Sequence, residues 1–159
     1  MNKAYLLIGG NLGDRHQNLS AAREIIRQTC GNILQTSAIY ETSAWGKTDQ
    51  PAFLNQALEI TTSLSAEKLL ECLLNAEHTM GRIRKEKMGP RKIDMDILFF
   101  NDAIIHQPDL KIPHPQLHNR RFALMPMHEI APALIHPLFK KTITQLLKES
   151  KDELPVNKL

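Results

Sequence analysis

Two carboxylates stand two residues apart in Asp94-Met95-Asp96, inside the otherwise apolar run 93–100. On an extended strand, residues i and i+2 share a face, with their Cα atoms roughly 6.5–7 Å apart. Both acids therefore project together, while Ile93, Met95 and Ile97 turn toward a core. Like charges this close repel each other and lose hydration, so the pair requires a compensating cation. A hard divalent ion fits: Mg²⁺ takes one or two carboxylates and completes its shell with water and substrate phosphates. The plain alternative, for any Asp-x-Asp pattern, is a solvated polar face on an edge strand.

The residues beside the pair favour the metal. Arg82, Arg84, Lys85, Lys87, Arg91 and Lys92 crowd the segment just before it, and Arg120 and Arg121 follow later. Guanidinium groups fork onto phosphate oxygens and stay charged at any working pH. Carboxylates that hold a metal beside arginines that hold phosphates suit a metal–triphosphate. Phosphoryl transfer needs little more, because its catalysis is mostly positioning and charge neutralisation. Ion pairing of these bases with Glu77 or Glu86 is the bland reading, and it leaves the Asp pair unexplained.

Three other features are less specific. Gly9-Gly10-Asn11-Leu12-Gly13-Asp14 matches neither common phosphate-loop pattern and reads better as a turn with an Asp cap. His114, in Pro113-His114-Pro115, suits a phosphate donor as well as a plain surface residue. Zinc binding with His118 is disfavoured by the intervening Pro115. Trp45, Phe53 and Phe122 could stack a flat heterocycle, with core packing as the alternative.

These groups need a scaffold. A strand over 4–9 closed by Gly9-Gly10, a helix over 15–29 capped by Asp14, and a strand over 33–41 come first. A strand over 53–62, a helix capped by Ser65 and the carboxylate strand 93–100 follow, with 103–105 as a short strand pairing back onto it. Residues 82–92, charged and containing Gly89-Pro90, read as a mobile loop. Helices near 120–130 and 142–150 complete the chain. The order predicts an α+β, ferredoxin-like antiparallel sheet with helices packed on it and additional C-terminal elements. One domain is expected over 1–150 and a loose polar tail over 151–159.

The chain has 159 residues, 42% of them hydrophobic, and a net charge of +3. That charge is too mild to argue for nucleic acid, and no apolar run is long enough to suggest a membrane span. Cys30 and Cys72 lie in helical stretches and are expected as reduced thiols of a cytoplasmic protein.

The motifs converge on a known family. The chain resembles the 6-hydroxymethyl-7,8-dihydropterin pyrophosphokinases of folate biosynthesis. The resemblance runs through Gly9-Gly10-Asn11-Leu12-Gly13-Asp14, Gln50-Pro51-Ala52-Phe53-Leu54-Asn55, Gly81-Arg82-Ile83-Arg84 and Gly89-Pro90-Arg91-Lys92-Ile93-Asp94-Met95-Asp96. It continues through Pro113-His114, Asn119-Arg120-Arg121-Phe122 and Glu129-Ile130-Ala131-Pro132. It implies pyrophosphoryl transfer from ATP to the hydroxymethyl-dihydropterin, with AMP released. Asp94 and Asp96 would bind two Mg²⁺ ions, with Arg82 and Arg91 beside them in catalysis. Arg82, Arg91, His114 and Arg120 would hold phosphates, and Arg84 would belong to the loop that closes over ATP. Leu70, Leu74, Glu77, Ile97 and Lys111 would line the nucleoside site. The pterin would lie between Phe53 and Phe122, near Asp94, its edge read by Asn55 and by main-chain groups near Thr42, Ser43 and Trp45. Met88 stands where some members place a Trp, and Phe53 where some place a Tyr. A monomer is expected, with no nucleic-acid or membrane partner.

Two other classes stay open at this stage. A non-catalytic nucleotide- or RNA-binding module would need exposed aromatics on its central strands. A metal-dependent phosphohydrolase would release phosphate from ATP without a pterin.

Overall fold

Strand β1 (Asn2–Gly10) is buried from Ala4 to Gly10, so both of its faces meet a core. Ala4, Leu6 and Ile8 pack with Leu19, Ala22 and Ile26 of α1 (Arg15–Thr29) and with Leu69 and Leu73 of α2 (Ala66–Thr79). Tyr5 and Leu7 point the other way, to Ala123, Leu124 and Met127 of α3 (Arg121–Ile130) and Ile143 and Leu146 of α4 (Ile143–Glu149). Alternate residues thus serve two cores, which explains why this strand reads as a continuous apolar run. The structure, a computed structural model, describes residues 1–43, 50–81 and 92–159.

The sheet is antiparallel. β1 pairs with β4 (Phe53–Thr62) on one side and with β5 (Asp94–Phe100) on the other. β2 (Asn32–Thr36) and β3 (Tyr40–Thr42) both pair with β4. The helices start where their caps predict: Asp14 accepts from Gln17 N at 3.0 Å and Ser65 from Lys68 N at 3.2 Å. Among the described residues, no helix is long and apolar enough to cross a membrane.

Four expectations change. Gly9-Gly10 does not close β1. Both glycines pair within the sheet, Gly9 with Asn55 and Gly10 with Leu54, and the chain turns afterwards at Gly13, whose φ is +69°. The stretch 33–41 is two strands, because Ser37 interrupts it. Its Oγ accepts from Ala57 N at 2.9 Å where a neighbouring strand's carbonyl would, and its N–H donates to Ala57 O at 2.9 Å. Residues 103–105 do not pair back onto β5. Ile105 begins β6 (Ile105–Gln107), which pairs with β7 (Leu110–Ile112) as a separate two-stranded sheet. It is His114, beyond β7, that donates its N–H to Leu98 O of β5 at 3.0 Å. The tail is also not loose throughout: Val156–Lys158 forms β8, antiparallel to β3.

Cys30 and Cys72 are free thiols with their sulfurs 2.7 Å apart. Burial, then the hydrogen bond with Cys72, pushes the Cys30 thiol up to about 12. The thiolate is the reactive form, so Cys30 should stay unlabelled by iodoacetamide at neutral pH and react only after denaturation. Peptide mass mapping of labelled native and denatured protein checks this.

Candidate active site

β5 presents Asp94 and Asp96 half-buried on one face, while Met95 and Ile97 enter the core beneath α2. Glu77 of α2 is only 4% exposed and its Oε2 accepts Met95 N at 2.6 Å. A buried carboxylate on the backbone between the two acids fixes the strand segment that carries them. Glu77 thus turns one carboxylate oxygen to the strand.

A neighbouring cleft holds about 220 Å³ and is lined by Leu70, Asp96, Ile97, Lys111 and His114 among others. Asp96, Asp109, Lys111 and His114 therefore border one space with several apolar side chains. Leu74, on the same helix as Leu70, is 50% exposed.

The His114 Nδ1 accepts from Gln116 N at 3.1 Å, which leaves the ring proton on Nε2 as a donor. Burial, then the Arg120 charge nearby, lowers its pKa from 6.5 to about 4. His136, stacked on Phe139, is lowered to about 4 as well, by burial and then by His118. The unfolded imidazoles titrate near 6.5, so between the two values the unfolded chain binds more protons. The stability these two rings contribute is complete above about 6.5 and falls away as the pH drops toward 4. The melting temperature should therefore decline on acidification from about pH 7 to about pH 5. In NMR titration, neither ring should protonate above about pH 5.

On the other side of β1 lie the residues expected to hold a flat ring. Phe53 and Asn55 of β4 are buried, and Thr42 of β3 pairs with Phe53. The Thr42 Oγ1 donates to Pro155 O at 2.8 Å, so its side chain is engaged within the fold, and Ser43 beyond it is exposed. Phe122, in the first turn of α3, is half-buried, and the Arg120 guanidinium carbon sits 5.6 Å from its ring centroid, a cation–π arrangement. Arg82, Arg84, Arg91 and Trp45 lie outside the described residues.

Gly9 is the residue that sequence reasoning missed. It pairs with Asn55 on one side and Asp94 on the other. Successive strands lie about 4.8 Å apart, so the outer two Cα atoms stand roughly 10 Å apart across it. A Cβ built on Gly9 would lie 2.2 Å from Asn55 Oδ1. The absent side chain is what lets the Asn55 amide lie across the strand. A glycine inside a strand signals such a close approach. Asn11, 2% exposed, is a second: its Nδ2 donates to Gln50 Oε1 at 3.0 Å and Pro51 O at 2.9 Å, holding the start of the segment that leads into Phe53.

Among the described residues, no group of three or more His, Cys, Asp or Glu gathers to hold a metal. Zinc takes three or four protein ligands, whereas Mg²⁺ is content with one or two carboxylates and keeps sites open for water and phosphate. The Asp94–Asp96 pair suits the second ion. The aromatics that β1 and β5 turn toward α3 and α4 give the RNA-module alternative no exposed platform. Tyr5 and Phe99, the aromatics on β1 and β5 facing α3 and α4, are 8% and 1% exposed and pack edge-to-face at 6.2 Å.

The sequence matches the family described as 7,8-dihydro-6-hydroxymethylpterin-pyrophosphokinase over residues 5–132. The 2-amino-4-hydroxy-6-hydroxymethyldihydropteridine pyrophosphokinase of Methylorubrum extorquens is 42% identical over 136 residues, 85% of this chain and 86% of that protein. The protein of the same name from Aquifex aeolicus is 40% identical over 153 residues, 96% and 92% of the two. Among solved structures, Plasmodium falciparum HPPK-DHPS aligns over 94% of this chain with a TM-score of 0.76 at 19% identity, a likeness of fold. This chain spans 43% of that longer one. With most of its length matched both by the family and by relatives at about 40% identity, the chain belongs to the 7,8-dihydro-6-hydroxymethylpterin-pyrophosphokinase family.

Proposed function

We propose that the protein transfers a pyrophosphoryl group from ATP to 6-hydroxymethyl-7,8-dihydropterin, giving AMP and the pterin diphosphate, a step of folate biosynthesis. Beside the family membership, the observation that carries this reading is the adjacency of Asn55, Gly9 and Asp94 on three neighbouring strands. It sets an amide able to read the edge of a ring beside the carboxylate pair.

In this reading the pterin lies between Phe53 and Phe122, with Asn55 and the backbone near Thr42, Ser43 and Trp45 on its edge. Asp94 and Asp96 hold two Mg²⁺ ions with the ATP. Arg82, Arg91, Arg120 and His114 hold phosphate oxygens, His114 as a neutral donor. Leu70, Leu74, Glu77, Ile97 and Lys111 flank the nucleoside, and Glu77 also holds the carboxylate strand through the Met95 N–H. Arg84 belongs to the segment that closes over ATP. The hydroxymethyl oxygen attacks the β-phosphorus in line, the bond from that phosphorus to the α,β-bridging oxygen breaks, and AMP leaves. Bound Mg²⁺ would neutralise phosphate charge and make the hydroxyl a better nucleophile. Asp94, whose strand pairs with Gly9 beside Asn55, would assist loss of the hydroxyl proton without acting as a full general base.

The strand order β5-β1-β4, with β2 on the far side of β4, supports the ferredoxin-like description, with α3, α4 and β8 as additions. A cytoplasmic monomer without a membrane partner belongs to the same reading, and the mild net charge of +3 argues against a nucleic-acid partner. Mass analysis of the product tests the reaction. A pterin that gains a diphosphate, with an equal amount of AMP, is expected. A pterin monophosphate accompanied by ADP would overturn it.

A further inference from the structure

The two aromatic walls proposed for the pterin come from different layers, Phe53 from the sheet and Phe122 from α3. Something must hold their separation, because a ring stacked on both sides tolerates little slack. The C-terminal segment makes that connection. At one end, Asp152 Oδ2 accepts Arg121 N at 2.9 Å, the first residue of α3 and the neighbour of both Arg120 and Phe122. The other carboxylate oxygen, Oδ1, accepts Leu154 N at 3.1 Å, which shapes the turn. Pro155 O then receives Thr42 Oγ1 at 2.8 Å, and Val156, Asn157 and Lys158 pair with Thr42, Glu41 and Tyr40. β3 in turn pairs residue by residue with the start of β4, Thr42 with Phe53 and Tyr40 with Asn55. Lys158 Nζ reaches Glu129 of α3 at 3.8 Å, and that carboxylate also accepts from Tyr40 at 2.7 Å.

The segment 152–158 thus runs as one strap from the first turn of α3 to the strand beside Phe53. Three residues lie between Asp152 and Val156, and n residues span at most about 3.6 Å × n, so the strap sets an upper limit on how far the two walls can part. We propose that this strap positions the pterin, with Asp152 as its positioning residue. The proposal rests on the Phe53–Phe122 pocket described above. Asp152 touches neither substrate. It acts through the Arg121 backbone on Phe122, and the Thr42 end of the strap acts on the pterin's edge.

The experiment measures KM for the pterin, KM for ATP and kcat in the full chain and four variants. Asp152→Ala should raise the pterin KM roughly tenfold, the effect of losing one charge-assisted hydrogen bond. The ATP KM should rise clearly less, since Arg120 is one of several phosphate holders, and kcat should stay within about twofold. Asp152→Asn keeps an accepting oxygen and should lie close to the parent. A chain ending at 155 keeps Asp152 and loses β8, and should also raise the pterin KM selectively. Phe122→Ala reports on the pocket itself. A raised pterin KM in Phe122→Ala with none in Asp152→Ala and the shortened chain overturns the strap alone. No change in Phe122→Ala overturns the pocket, and the strap with it. Pterin KM, ATP KM and melting temperature moving together would make the segment a general stabiliser and contradict the proposal. Should Asp152→Ala fail to fold, the shortened chain and Asp152→Asn still decide between these outcomes.

Discussion

Asp96→Asn is expected to lower turnover at least about a thousandfold in a protein that still folds. Positioned charge at a phosphoryl-transfer site is worth several orders of magnitude, and there is little other chemistry for the protein to perform. Asparagine matches aspartate in size and keeps one oxygen, but loses the charge that a hard cation needs. The fold should not suffer. Asp96 is half-buried on the side of β5 away from the α2 core, and its Asp94 neighbour shares its sign and face. Removing one of two like charges relieves repulsion in the free protein. Single-turnover AMP formation and thermal unfolding on the same preparation check both halves of this prediction. Asp94→Asn should behave similarly, with an added rise in pterin KM if the carboxylate stands as close to the pterin as its pairing with Gly9 implies.

The second large effect is one of space. Gly9→Ala would set a Cβ 2.2 Å from Asn55 Oδ1 and 2.5 Å from Leu54 O. The Asn55 amide can rotate away, but the Leu54 carbonyl belongs to β4, whose Leu54 pairs with Gly10. Moving it disturbs the central pair of strands. Overpacking of this kind costs about 3 kcal/mol, which for a chain of this size lowers the melting temperature by roughly 6–12 °C. The protein that does fold should bind the pterin more weakly, because Asn55 must leave its position. A melting curve and a pterin binding titration test this together. A Gly9→Ala protein with parental stability and pterin affinity would show that the close approach over β1 is not needed.

These effects also mark how far the sequence could be read. The Asp94–Asp96 pair was legible because its signal is local, a two-residue period in an apolar strand. The helix starts were legible because Asp14 and Ser65 cap through hydrogen bonds to residues three positions on. Features decided by distant partners were not. The break at Ser37 depends on Ala57, twenty residues away, and β8 depends on β3, more than a hundred residues earlier in the chain. A polar three-residue segment carries no apolar period from which a strand could be read. Gly9-Gly10 resembled a turn because glycine serves both turns and crowded strand crossings, and only the register with Asn55 separates the two. The ring-binding side came from resemblance. Phe53, Asn55 and Phe122 lie in separate stretches, and no spacing rule unites β4 with the start of α3.

In the proposed function the two halves of the site, the carboxylate pair and the aromatic pocket, act on one reaction. AMP release from ATP and Mg²⁺, followed with and without 6-hydroxymethyl-7,8-dihydropterin, tests it most directly. AMP is expected only when the pterin is present, one molecule for each pterin consumed. ADP or AMP accumulating at the same rate without the pterin would contradict it.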